Sequence, residues 1–106
     1  MEKREFYIAG VKFHELPLII NEVEIGEVLT LEPEPSNQYD PNAVKILRGD
    51  VMTGYVPKKF SSEVAMMIEN DFPIQCRVIE VNVSAKPWEA CKVVIEEVDA
   101  EEDSYE

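Results

Sequence analysis

Over most of its length the chain alternates apolar and polar residues in short runs, and this two-residue period predicts a protein made mainly of strands. Phe6, Ile8 and Gly10 alternate with Tyr7, Ala9 and Val11, which predicts a first strand ending at Lys12-Phe13. From His14 to Val23 the period is lost, and Pro17 limits any helix to a start near it, so a covering loop or short helical turn is expected. Ile25, Glu27, Leu29 and Leu31 share one face of a second strand, which Pro33 and Pro35 end because proline cannot donate to a ladder. Residues 43–47 and 51–56 then predict a hairpin across Arg48-Gly49-Asp50, where Gly49 can take a positive φ.

The period changes once. Phe60, Val64, Met67 and Ile68 fall at helical spacing, with Ser61 or Ser62 as a candidate N-cap and Asn70-Asp71 as the exit; the Met66-Met67 pair is assigned to core packing. Ile74, Cys76 and Val78 then alternate in one phase and Ile79, Val81 and Val83 in the other, which predicts a bulge near Val78-Ile79 in a long bent strand. A last strand covers residues 91–98. The inventory is mainly β, in the order β-β-β-β-α-β-β with one or two helices, and it fits a small OB- or SH3-like β-barrel.

At 106 residues the chain suits one domain that folds without disulfides or metal. Cys76 and Cys91 each lie inside a strand-like run, and His14 is far from both, so they are expected to be buried free thiols, with no metal and no cofactor. No apolar export or membrane segment is present in the sequence, and a cytoplasmic protein is expected. The net charge of −12 weighs against a sliding grip on a polyanion. Seven of those charges come from Glu96, Glu97, Asp99, Glu101, Glu102, Asp103 and Glu106, where no Lys or Arg intervenes, so a net −5 remains for the rest. Residues 1–98 are therefore expected to form the barrel domain and residues 99–106 a flexible acidic tail.

Chemistry concentrates between Leu31 and Phe60. Ser36-Asn37-Gln38-Tyr39-Asp40-Pro41-Asn42-Ala43 is rich in residues that make side-chain-to-backbone turns, so it predicts a shaped loop that holds a phenol and a carboxylate in fixed positions. On the residues alone, two readings stand side by side: Tyr39 packs on the barrel while Asp40 closes the turn onto Asn42, or both serve a ligand. Lys58 and Lys59 likewise read as solvated lysines before a helix or as phosphate ligands.

Gly10-Val11-Lys12-Phe13-His14, then Asn37-Gln38-Tyr39-Asp40-Pro41-Asn42-Ala43-Val44, then Gly54-Tyr55-Val56-Pro57-Lys58 resembles the HIRAN domain over about Phe6 to Ile95. HIRAN domains occur on ATP-dependent translocases that remodel stalled replication forks and as small free-standing proteins, and this chain looks like the free-standing kind. The resemblance implies a DNA-repair setting and a non-catalytic module that binds the 3′-end of single-stranded DNA. It implies that Tyr39 stacks on a terminal base, that Asp40 accepts from the 3′-hydroxyl, and that Lys58, followed by Lys59, meets backbone phosphates. Lys12 and Phe13 match a family Arg-Tyr pair flanking the nucleotide, with loss of the bidentate guanidinium and the phenolic oxygen. His14 falls where a third aromatic often stands and reads equally as a structural histidine. Trp88, in Lys86-Pro87-Trp88-Glu89, is a further stacking surface or a lid over the barrel end. Asn37 completes the expected DNA-binding set.

Enzyme readings fail on inventory: one His, no Gly-rich phosphate loop and no ligand pair at metal spacing. The competing expectation is an acidic protein-interaction domain that docks on a basic partner such as a DNA-processing protein.

Overall fold

The alternation has a structural cause: each strand buries one face against the same interior. Val44 and Ile46, Cys76 and Val78, and Val93 and Ile95 are all completely enclosed, each pair two residues apart on its strand. The computed structural model describes residues 3–11 and 16–98. In chain order these form β1 (Arg4–Tyr7), α1 (Leu16–Ile19) with a following 3-10 turn (Ile20–Glu22), β2 (Val28–Pro33), β3 (Val44–Arg48) and β4 (Val51–Tyr55). Then come α2 (Lys58–Glu69), β5 (Ile74–Val81), a 3-10 turn (Pro87–Glu89) and β6 (Cys91–Glu97).

The six strands make one antiparallel sheet in the order β1-β6-β5-β2-β3-β4. It curls into a half-barrel whose two edges touch at one bridge, where Ala9 N–H donates to Tyr55 O at 2.9 Å and Tyr55 N–H donates to Ala9 O at 2.8 Å. Gly54 permits that approach. A Cβ there would stand 2.4 Å from Ala9 O and 2.6 Å from Ile8 Cγ2. Two bulges bend the sheet, one of them at the expected place: Val78 faces Val93 and Glu80 faces Lys92, so Ile79 is the extra residue. The other was not foreseen. Ile46 faces Gly54 and Leu47 faces Met52, which leaves Thr53 extra; its buried hydroxyl donates to Ile46 O at 2.7 Å.

Helix α2 lays Val64 and Met67 into the core, with Phe60 and Ile68 half-buried beside them, while Met66 is exposed. Arg4 clamps it to β1 through Nε and Nη2, which donate to Glu63 Oε1 and Oε2 at 2.9 Å each. The helix ends in a Schellman motif: Phe72 N–H donates to Met67 O and Asp71 N–H to Ile68 O, with Asp71 at φ 60°. That turn is the Asn70-Asp71 exit expected from the sequence.

Four expectations need correction. Only one residue of the Met66-Met67 pair is core: Met67 is buried, while Met66 is 47% exposed. Helix α2 starts at Lys58, two residues before the apolar stripe, with Pro57 at the N-cap and no side-chain cap bond. Neither Ser61 nor Ser62 caps it, because both lie inside the helix. Ile25 is not on β2: it sits in a turn with 67% of its surface exposed, and Gly26 at φ 98° carries the chain around before the ladder begins at Val28. The regular ladder of the first strand stops at Tyr7, though Ile8 and Ala9 still donate to Cys91 O and Tyr55 O. Its predicted end at Lys12-Phe13 lies outside the described residues, as does the 99–106 tail. The 14–23 segment from Leu16 on is the short helical turn, seated by buried Leu16 and Ile20.

Candidate nucleic-acid interface

The loop between β2 and β3 is organised by one asparagine. Asn37 Oδ1 accepts from the backbone N–H of Tyr39 at 2.8 Å and of Asp40 at 3.0 Å, the bonding expected of an Asx turn. Its Nδ2 donates to Glu34 Oε1 at 2.7 Å, and the same carboxylate oxygen accepts from the Tyr55 hydroxyl at 2.8 Å. Glu34 therefore ties the loop to β4. Burial raises the Tyr55 phenol above its ordinary pKa, and the bond to the Glu34 carboxylate adds to the rise, so the phenol remains a donor.

Asp40 is fixed by two donors. Its Oδ1 accepts from Asn42 N–H at 2.9 Å and its Oδ2 from the buried Ser61 hydroxyl at 2.9 Å. Ser61 also lies 3.0 Å from Lys58 O, within the first turns of α2. Each carboxylate oxygen has capacity left for a further donor. Among the described residues Tyr39 is held through its backbone, and it leaves 82% of its surface exposed, an unusual condition for a large aromatic on an ordered loop.

These residues surround a single depression of about 300 Å³, with Asn37, Tyr39, Asp40 and Lys58 at its rim and Ala9, Gly10, Tyr55 and Val56 beneath. Among the described residues, Arg4, Lys45, Arg48 and Arg77 are paired with carboxylates. Lys59, Lys86 and Lys92 lie over the rings of Phe60, Trp88 and Tyr7 at 5.1, 5.5 and 5.5 Å. Lys58 has neither kind of partner among the described residues. It is also the first residue of α2, where backbone N–H groups point out of the helix without a side-chain cap.

Four expected site residues thus come together: Asn37, Tyr39, Asp40 and Lys58. Lys59 and Trp88 do not line the depression; Trp88 stands half-exposed in the 3-10 turn before β6. Lys12, Phe13 and His14 lie outside the described residues, although Ala9 and Gly10, just before them, form part of the wall. Sequence reasoning missed Glu34, Tyr55 and Ser61 as the framework of the site. The available signals were the place of Tyr55 in the Gly54–Lys58 block of the family resemblance and its position beside Gly54, a strand glycine that marks close backbone approach.

The HIRAN domain model matches residues 2–96. The chain belongs to the HIRAN domain family. HIRAN domains are DNA-binding domains. Among curated proteins, this HIRAN chain is 32% identical over 95 residues to a Fanconi-associated nuclease 1 homolog of Arabidopsis thaliana and 31% identical over 80 residues to the rice homolog, Oryza sativa subsp. japonica. The matches cover 89% and 72% of this chain but 10% and 8% of those proteins, so the chain spans about a tenth of their length. Its fold is also that of the crystallised HIRAN domain of human HLTF, with TM-score 0.65, 19% identity, and 88% of this chain and 70% of that one covered. A crystallised protein from Lactobacillus plantarum gives TM-score 0.74 at 15% identity, covering 89% and 95% of the two chains. Among the described residues of this HIRAN domain, no group of His, Cys, Asp and Glu is placed to hold a metal ion, and no helix is long and apolar enough to cross a membrane.

Proposed function

We propose that this chain is a non-catalytic module that binds single-stranded DNA at its free 3′-end. The observation that carries the proposal is Tyr39 and Asp40 side by side on a hydrogen-bonded loop, the ring open to solvent and the carboxylate held by two donors above a depression. The ring offers a stacking platform for a terminal base, and such stacking contributes on the order of 1–3 kcal/mol per base without regard to sequence. The Asp40 carboxylate accepts from a 3′-hydroxyl, and it repels a 3′-phosphate or the continuing phosphodiester of an internal nucleotide. Lys58 and the uncapped start of α2 favour the adjoining phosphate. On the family resemblance alone the proposed contact set extends to Lys12, Phe13 and His14, which follow Ala9 and Gly10 in sequence, and to Lys59 and Trp88, which do not line the depression.

The net charge of −12 requires this binding to be local. Titration of a fluorescently labelled oligonucleotide should show saturable binding whose salt dependence is shallow, because few phosphates are engaged. A 3′-phosphate should remove most of it. Tyr39→Ala should weaken it by roughly 5- to 150-fold, the equivalent of the lost stacking. Equal affinity for free and blocked 3′-ends would refute the assignment of Asp40.

A further inference from the structure

At the other end of α2 the sheet splits. Strand β2 pairs with β5 only at Val28↔Arg77 and Leu29↔Cys76, and then the two strands part: β2 continues against β3 as far as Pro33, while β5 continues against β6 back to Ile74. The fork between them opens a cleft of about 420 Å³, floored by Leu29 and Cys76 and flanked by Leu31, Ile68 and Phe72. This cleft shares no lining residue with the depression at Tyr39.

Two features of the cleft indicate an occupant. The first is main-chain polarity. Glu34 N–H donates to Ala43 O, and hydrogen-bonded pairs alternate along an antiparallel ladder, so Glu32 and Thr30 also face β3 while Leu31 faces the fork. Beyond the last β5 partner at Leu29, the Leu31 N–H and C=O have no neighbouring strand on that side. The second is charge. Asp71 is the one charged residue lining the cleft among the described residues, the negative end of α2 points there, and the last turn of that helix carries no basic residue. Phe72, 46% exposed, is fixed at the cleft mouth by the Schellman motif.

We propose that this fork is a docking cleft for an extended, apolar peptide segment of a partner protein that bears lysine or arginine beside its apolar residues. Such a strand pairs with Leu31, sets its apolar side chains against Ile68 and Phe72, and brings its cations to Asp71 and the end of α2. Docking there leaves the Tyr39 depression open, so a partner and a nucleic-acid end can be held together.

The probe is an acetylated Lys-Lys-Val-Thr-Val-Lys-Lys amide, titrated into the 15N-labelled protein, with a glutamate-for-lysine peptide and a peptide N-methylated at its central residue as comparators. The lysine peptide should shift the amides of Leu31, Phe72 and Ile74 saturably. The N-methyl peptide should bind about 2- to 10-fold more weakly for its lost hydrogen bond, and the glutamate peptide more weakly still. Asp71→Gly keeps the left-handed turn and removes the charge, so it should cut affinity for the lysine peptide by about 2- to 5-fold without lowering the melting temperature. Phe72→Lys should abolish binding while leaving oligonucleotide titrations unchanged. The proposal is overturned if millimolar lysine peptide shifts none of these amides, if the shifts lie only around Tyr39, or if the glutamate peptide binds equally. It is also overturned if sedimentation shows a dimer that Phe72→Lys dissolves, since the occupant is then a second copy.

Discussion

Substituting Gly54 by alanine tests the closure of the half-barrel directly. The added methyl would stand 2.4 Å from Ala9 O and 2.6 Å from Ile8 Cγ2, with Val11 Cγ1 at 3.3 Å. The first of these is backbone, and it accepts the Tyr55 N–H that fastens the edges, so it cannot retreat without opening the bridge. Overpacking of this kind costs about 1–3 kcal/mol. Loss of the two bridge hydrogen bonds adds about 1 kcal/mol each, and the reduced freedom of the unfolded chain offsets about 0.4–1 kcal/mol. The net destabilisation is about 2–5 kcal/mol, a drop in melting temperature of roughly 8–40 °C for a domain of this size. Urea and thermal unfolding followed by far-UV circular dichroism would measure it. Gly49→Ala is the comparator: Gly49 has φ 60° but nothing within 4 Å of the place an added methyl would occupy, so it bears only the conformational cost of about 1 kcal/mol. An unchanged midpoint for Gly54→Ala, or one no lower than for Gly49→Ala, would refute the steric account of the seam.

Ser61→Ala removes the donor at Asp40 Oδ2 and should cost about 0.5–1.5 kcal/mol of stability; 3′-end binding should fall as well, and its discrimination between hydroxyl and phosphate should narrow, which the paired titrations detect. The Arg48 guanidinium holds the Glu27 carboxyl, and the Arg77 guanidinium the Glu96 carboxyl, below the ordinary 4.5. Their contribution is therefore present above that value and lost as pH falls through the lowered folded values, so melting temperature should decline in acid, and Glu96→Gln should flatten the decline; a pH-independent melting temperature down to strong acid would contradict the pairs. Burial pushes the Cys76 thiol up to about 12 and the Cys91 thiol to about 11, so neither should react with a disulfide reagent at neutral pH until the protein unfolds. Prompt labelling of the native protein would show that the β5-β6 layer opens freely.

The sequence made much of this fold legible because its periods are clean. The phase reversal at Val78-Ile79 located the bulge, and the stripe from Phe60 to Ile68 located the helix and its buried face. Where side chains bond across distance, local pattern was misleading. Ser61 has the composition of a cap, yet its hydroxyl is directed at Asp40, twenty-one positions earlier, and the helix begins instead at the residue after Pro57. Ile25 continues the alternation of β2 but falls before Gly26 has turned the chain. Tyr39 and Asp40 were identifiable from loop composition and from the family resemblance. Glu34 was not, because its role depends on Tyr55 arriving beside it from another strand.

The seam also sets how the domain opens. Ala9 and Tyr55 share the one bridge described between the two sheet edges, and both line the Tyr39 depression. Parting of this bridge is thus a local opening whose equilibrium amide hydrogen exchange reports. A ligand seated in the depression spans both edges, so it binds the closed state and withdraws it from that equilibrium. At a ligand concentration one hundred times the dissociation constant the linkage amounts to about 2.7 kcal/mol, roughly a hundredfold slowing of exchange at the Ala9 and Tyr55 amides. Occupancy acts as a clasp on the half-barrel, which makes the exchange rate of two backbone protons a gauge of ligand binding that requires no label on the ligand.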